Sequence, residues 1–114
     1  MDILHQVVQQ LLQARNILAI GVSDSFVRII DFQNKMLKIN MFVKISYLQP
    51  DQAYLCTHAT SEDVALLISY SGRTAEVINE ARILKQGGVK TIAITSNTTS
   101  PLAQLCDTLI MLPN

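Results

Sequence analysis

Val64-Ala65-Leu66-Leu67-Ile68 runs without a break into Ser69-Tyr70-Ser71-Gly72-Arg73-Thr74, and Ala75 to Gln86 follows with helical spacing. Five consecutive apolar residues, three of them β-branched or leucine at alternate positions, fit a strand covered on both faces, as in a parallel sheet. The next six residues supply three hydroxyls in addition to the tyrosine and one glycine. They end where a helix begins. A helix start presents unpaired backbone N–H groups and about half a positive charge. Hydroxyls around such a start, with a glycine that lets backbone come close, make an oxyanion site suited to phosphate.

The same alternation extends in both directions. Upstream, residues 2–14 read as a helix with Ile3, Leu4, Val7, Val8, Leu11 and Leu12 on one stripe, glutamines on the other face and Asp2 as N-cap. Residues 16–20 form a continuous apolar strand. Residues 25–38 form a helix with Phe26, Ile29, Ile30 and Leu37 on one face and Asp31 and Lys35 four apart outside. Met41 to Ser46 reads as a strand whose Lys44 suits a sheet edge. Pro50 opens a short helix to about His58. Downstream, Gly87-Gly88 ends the helix in which Val77, Ile78, Ala81 and Leu84 point inward. Thr91 to Thr95, Pro101 to Leu105 and Thr108 to Leu112 complete the series as strand, helix and strand. Strands alternating with helices imply parallel pairing and helices on both faces, which predicts a three-layer α/β/α sandwich with five parallel strands.

Three segments resemble the SIS (sugar isomerase) domain, a phosphosugar-binding module. Ser69-Tyr70-Ser71-Gly72-Arg73-Thr74 resembles its Ser-x-Ser-Gly-x-Thr signature. Gly21-Val22-Ser23-Asp24-Ser25, after the strand Ile17-Leu18-Ala19-Ile20, resembles its first loop, Gly-x-Gly-x-Ser. Ile92-Ala93-Ile94-Thr95-Ser96-Asn97, then Ser100-Pro101-Leu102-Ala103, is similar to the strand and helix start that follow. The likeness covers nearly the whole chain and is nearest to the effector domain of RpiR/MurR-family transcriptional regulators. It implies a flavodoxin-like strand order, 2-1-3-4-5, with the switch point between the first and third strands. Ligands of such sheets bind at the carboxyl ends of the strands near that point. Both hydroxyl-rich loops follow those two strands.

The resemblance implies that Ser69, Ser71 and Thr74 hold the phosphate of a phosphosugar, with the Gly72, Arg73 and Thr74 amides pointing the same way. The alternative is that Ser71 or Thr74 caps the helix, and the two roles are compatible. Gly21, Ser23 and Ser25 of the first loop complete the expected ligand-binding set. Ser25 matches the serine that touches the sugar, unless it caps the second helix. Ser23 stands where the family usually has glycine, and Asp24 brings a negative charge beside an anion site. Arg73 occupies a place that the family often fills with glutamate; it reaches the anion or points to solvent. Ser96 and Asn97 either line the far side of the pocket or make the turn ahead of a helix capped by Ser100.

An isomerase needs a general base to move a proton between adjacent carbons. His5 falls on the polar side of the first helix and His58 in a loop, and beyond Glu80 the acid is Asp107. No base stands out, so the reading is a non-catalytic phosphosugar sensor. A phosphosugar isomerase fragment and a degenerate interaction module remain alternatives.

Bulk properties bound these readings. The 114 residues suffice for one domain. Nine basic and nine acidic residues give a formal net charge of zero, which argues against direct contact with nucleic acid. The charged share of 16% is below the usual quarter, so part of the surface is expected to be covered by a partner or a further segment, and a homo-oligomer is expected. Cys56 and Cys106, without metal-ligand spacing, read as small hydrophobes in a reducing cytoplasm; no metal or cofactor is implied. No signal peptide and no apolar run of roughly 20 residues is present, so no membrane contact is expected. The resemblance also implies a further helix after the last strand and, in regulators, a helix-turn-helix ahead of the domain. Residues 1–114 are therefore read as one SIS domain from a longer protein, with DNA reached only through a separate domain.

Overall fold

The structure, a computed structural model, describes residues 2–22, 24–46 and 48–113. Helices α1 (Ile3–Gln13), α2 (Asp24–Lys38), α3 (Gln49–His58), α4 (Ala75–Gln86) and α5 (Pro101–Leu105) alternate with strands β1 (Ile17–Ile20), β2 (Val43–Lys44), β3 (Val64–Ile68), β4 (Lys90–Thr95) and β5 (Thr108–Met111). The strands form one parallel sheet in the order β2-β1-β3-β4-β5. This is the expected sandwich, with its switch point between β1 and β3.

The central strand β3 is buried at all five positions, as is β1 at all four. Alternate residues feed opposite layers. Leu18, Ile20, Ala65, Leu67 and Ala93 pack with Cys56 of α3, Val77, Ala81 and Leu84 of α4 and Leu102 of α5. Ile17, Ala19, Val64, Leu66, Ile68 and Ile92 face the other way, toward Val7 of α1 and Ile29 of α2. Leu67 and Ile20 are fully buried. Each such side chain contributes about 1.5–3 kcal/mol relative to exposure.

Local signals hold at most helix ends. Asp2 Oδ1 accepts from the His5 N–H at 2.8 Å, Ser100 Oγ accepts from the Ala103 N–H at 3.2 Å, and Lys35 pairs with Asp31 at 2.8 Å. Gly87 is the C-cap of α4 and Gly88 follows at φ +73°. The strand expected over Met41 to Ser46 contracts to Val43–Lys44, because only these two residues find partners, Ile17 and Leu18, and Lys44 is exposed at the edge.

Two amphipathic faces depart from expectation. On α1 only Val7 is buried; Ile3, Leu4, Val8 and Leu12 are 51–67% exposed. On α2 Ile29 is buried, but Leu37 is exposed. The α1 stripe is wider than the ground it covers, so four of its six residues face outward. The two cysteines are free thiols, Cys56 buried and Cys106 half-buried. Burial pushes them up to about 12 and about 11, with Glu80 adding to the rise at Cys56 and Asp107 at Cys106.

Glu80 is the discordant residue of the core. It lies on the inward face of α4, 2% exposed, and neither carboxylate oxygen has a hydrogen-bond partner among the described residues. Burial, with a smaller contribution from Glu76, raises its pKa to about 7. The folded state thus holds this proton more tightly than the unfolded chain does. Its contribution is fully favourable below the ordinary glutamate range and is lost as pH rises through about 7. Denaturant titrations at pH 5 and pH 8.5 should show Glu80→Gln gaining stability over the native chain only at the higher pH, by on the order of 1–3 kcal/mol. An equal effect at both pH values would mean that Glu80 is ionised throughout.

Candidate functional site

Parallel register brings the two hydroxyl loops together. Ile20 of β1 is level with Leu67 of β3, so Gly21 stands level with Ile68 and Ser69 leaves the same carboxyl edge one residue later. The Ser69 N–H donates to the Ile94 carbonyl at 3.0 Å, which continues the β3–β4 ladder by one step before the chain turns.

The turn is tight and internally bonded. Ser69 is buried, and its Oγ lies 2.9 Å from Thr74 Oγ1 and accepts from the Gly72 N–H at 3.0 Å. Ser71 Oγ is exposed and accepts from the Arg73 N–H at 3.1 Å. Gly72 sits at φ +68°, a left-handed conformation that costs other residues about 1–3 kcal/mol. Space requires glycine there as well: a Cβ would fall 2.0 Å from Ser100 Oγ. The Gly72 carbonyl in turn accepts from the Leu102 N–H at 3.2 Å, docking the turn on the start of α5.

These bonds bear on the two roles weighed for the hydroxyls. Thr74 is the N-cap of α4 by position, yet its side chain makes no cap hydrogen bond. Ser71 serves the N–H of Arg73, which precedes the helix. Neither hydroxyl closes α4 in the ordinary way. The expected fan of three amides is partly engaged inside the loop, since the Gly72 and Arg73 N–H groups already have acceptors. The Arg73 side chain is exposed.

Tyr70 is the anchor of this loop. Its carbonyl accepts from Thr95 Oγ1 at 3.0 Å, Ser96 Oγ at 2.7 Å and the Ser96 N–H at 3.1 Å. Its ring lies under the Arg28 guanidinium, 5.2 Å from the centroid, a cation–π contact that ties the loop to α2. Ser96 therefore braces the loop from β4. Asn97 makes the following turn, its Oδ1 accepting from the Thr99 N–H at 3.2 Å and Thr99 Oγ1 at 3.1 Å.

In the first loop, Gly21 is buried, and a Cβ on it would meet Ile29 Cδ1 at 2.5 Å and Ser25 Cβ at 3.3 Å. Its lack of a side chain lets α2 settle on β1. Ser25 is 7% exposed, its N–H donates to the Val22 carbonyl at 3.1 Å, and it lies one residue inside α2 rather than capping it. Ser23 and the Asp24 side chain lie outside the described residues. Nothing in the composition points to Gln52, which is 1% exposed and donates through Nε2 to the Gly21 carbonyl at 3.0 Å.

The acid–base candidates lie elsewhere. His58 ends α3, which returns toward the amino edge of the sheet; its Nδ1 is 2.8 Å from the Tyr54 carbonyl. It lines a cavity of about 370 Å³ with Asn16, Lys44 and Asp51, between β2 and α3. Asp107 Oδ2 accepts from the Thr91 N–H at 3.0 Å and Thr91 Oγ1 at 3.2 Å, fixing the start of β4. His5 is exposed on α1.

Comparison with known proteins identifies the family and the fold. The chain is 36% identical over 104 residues to an uncharacterized HTH-type transcriptional regulator of Haemophilus influenzae, covering 91% of this chain and 36% of that protein. It is 31% identical over 115 residues to the HTH-type transcriptional regulator RpiR of Escherichia coli K12, covering 98% of this chain and 38% of that protein. The structure of Vibrio vulnificus NanR complexed with ManNAc-6P superposes with a TM-score of 0.92 at 22% identity, over 97% of this chain and 42% of that one. At that identity the likeness is one of fold. The chain thus spans little more than a third of the length of the two regulators from Haemophilus and Escherichia. The profile of the SIS domain matches residues 10–114, a span that takes in both hydroxyl loops and all five strands, and the chain belongs to the SIS domain family.

Proposed function

We propose that this domain is the phosphosugar-sensing part of a transcriptional regulator of carbohydrate metabolism, binding its ligand without turning it over. The observation that carries the reading is the meeting of two hydroxyl-bearing loops at the carboxyl edge of β1 and β3. Ser69, Ser71, Gly72 and Thr74 form the phosphate side, and Gly21, Ser23 and Ser25 the sugar side. The regulators that share its sequence and the ManNAc-6P complex of NanR support the same assignment. The hydroxyls of Ser69 and Thr74 satisfy each other, so an incoming phosphate exchanges internal bonds for charge-assisted ones, which are about twice as strong. Binding by exchange keeps the loop ordered and makes affinity depend on the anion. Regulation then requires DNA contact through a separate domain, in the cytoplasm.

The structure also suits self-association. Ile3, Leu4, Val8 and Leu12 expose an apolar face along α1. On the same face of the sheet, beside α2, a cavity of about 300 Å³ opens on Ala19, Leu66, Ile68 and Ile94, rimmed by Arg28, Asp31 and Lys35 of α2. We infer that a second copy covers this side. Among the described residues no helix is long and apolar enough to cross a membrane.

Two measurements test these readings. Calorimetric titration with a panel of hexose and pentose phosphates, N-acetylmannosamine 6-phosphate included, should give saturable binding. Ser71→Ala should weaken it by on the order of 1.5–3 kcal/mol, the scale of a hydrogen bond to a charged group. Unchanged affinity for every bound ester would remove Ser71 from the site, and no binding by the native chain would refute the function. In sedimentation runs the native chain should associate, and Val8→Glu with Leu12→Glu should shift it to monomer. A native monomer at high concentration would refute the shared apolar face.

A further inference from the structure

The first loop is held from below by a residue that no motif contains. Gln52 lies in the first turn of α3, its own N–H donating to the Leu48 carbonyl at 3.0 Å. Its side chain is 1% exposed and turns under the sheet edge. There Nε2 donates twice, to the Gly21 carbonyl at 3.0 Å and to the Ser46 carbonyl at 3.1 Å. Gly21 is the residue at which β1 becomes the first loop, and Ser46 lies just past β2. One amide therefore ties the exits of two neighbouring strands to the helix that follows the second.

Packing alone does not account for a glutamine here. Its Oε1 is buried and has no hydrogen-bond partner among the described residues. A methionine would fill similar volume without leaving an unpaired acceptor in the interior. What glutamine adds is two N–H donors that diverge from one nitrogen, matched to two carbonyls from different segments. Gly21 cannot be fixed by a side chain of its own, because a Cβ would run into Ile29. Its backbone carbonyl is the available handle.

We propose that Gln52 is a positioning residue for the sugar side of the pocket: by holding the Gly21 carbonyl it sets where the first loop, and with it Ser25, stands relative to the phosphate loop. The inference rests on the phosphosugar reading given above and assigns Gln52 no contact with ligand. It separates two halves of one site. The phosphate loop is braced from β4 and α5 through Tyr70 and Gly72, without Gln52. Loss of Gln52 should therefore disturb recognition of the sugar and spare recognition of phosphate.

Gln52→Met and Gln52→Glu are the test variants, the second nearly isosteric but, once ionised, facing both carbonyls with oxygen. Titration with the tightest-binding phosphosugar of the panel and with inorganic phosphate gives the first readout. Both variants should weaken the phosphosugar about tenfold or more, the equivalent of about 1.4 kcal/mol, with phosphate affinity within about twofold of native. Equal loss for both ligands, or native affinity in either variant, would overturn the proposal. Amide hydrogen exchange without ligand gives the second readout, which is independent of any sugar. The Ser25 N–H should exchange faster in Gln52→Met while the Gly72 N–H keeps its native rate. Unchanged exchange at Ser25, or acceleration across the whole domain, would overturn the positioning role. A native chain that binds no phosphosugar would refute the function proposed above, and the exchange data would still decide what Gln52 holds.

Discussion

The loops at the carboxyl edge of the sheet depend on β3 having no freedom to move. It is paired on both sides, to β1 over Ile17↔Val64 through Ile20↔Leu67 and to β4 over Val64↔Lys90 through Ile68↔Ile94, and both faces are buried. A one-residue slip would exchange its two faces and break two ladders at once. The loop that begins at Ser69 inherits that rigidity. Its further supports come from β4 and α5, elements fixed in the same ladder, so the turn is held at its entry, at its carbonyl apex and at its left-handed glycine. The proposed role, recognition of an oxyanion by oriented hydroxyls, needs such fixation, because one displacement would weaken every hydrogen bond together.

The layers of the sandwich were legible to different depths. The strands β1 and β3 show as unbroken apolar runs because both of their faces are covered, and the parallel alternation follows from them. The extent of β2 was not legible. Nothing in the run Met41 to Ser46 marks where pairing stops, and the length of the strand is decided by how many of its residues find a partner on β1. The α1 stripe was correctly periodic, but periodicity reports only that a face is apolar and not what covers it. Glu80 lies at helical spacing with Val77, Ala81 and Leu84, so its position pointed inward all along; its charge is what hid it.

At the candidate site, the Ser69–Thr74 loop was readable because its chemistry is local: hydroxyls, one glycine and a helix start lie within six residues. The cross-chain supports were not. Thr95 and Ser96 meet the Tyr70 carbonyl from 25 and 26 residues away, and Gln52 meets Gly21 across 31. A polar side chain that serves a distant carbonyl leaves no periodic trace, and its type fits a surface helix equally well. The Arg28–Tyr70 contact belongs to the same class, since neither residue announces the other.

The raised thiols of Cys56 and Cys106 have a consequence for what the domain can respond to. Oxidants, alkylating agents and disulfide exchange act on the thiolate, and at neutral pH both groups are almost entirely protonated. Cys56 is in addition buried in the cluster formed by α4 and the sheet. Hydrogen peroxide and electrophiles therefore find little thiolate to attack at these two positions. The chemistry offered at the carboxyl edge of the sheet is that of hydroxyls and backbone amides, and these two thiols add little reactive sulfur to it.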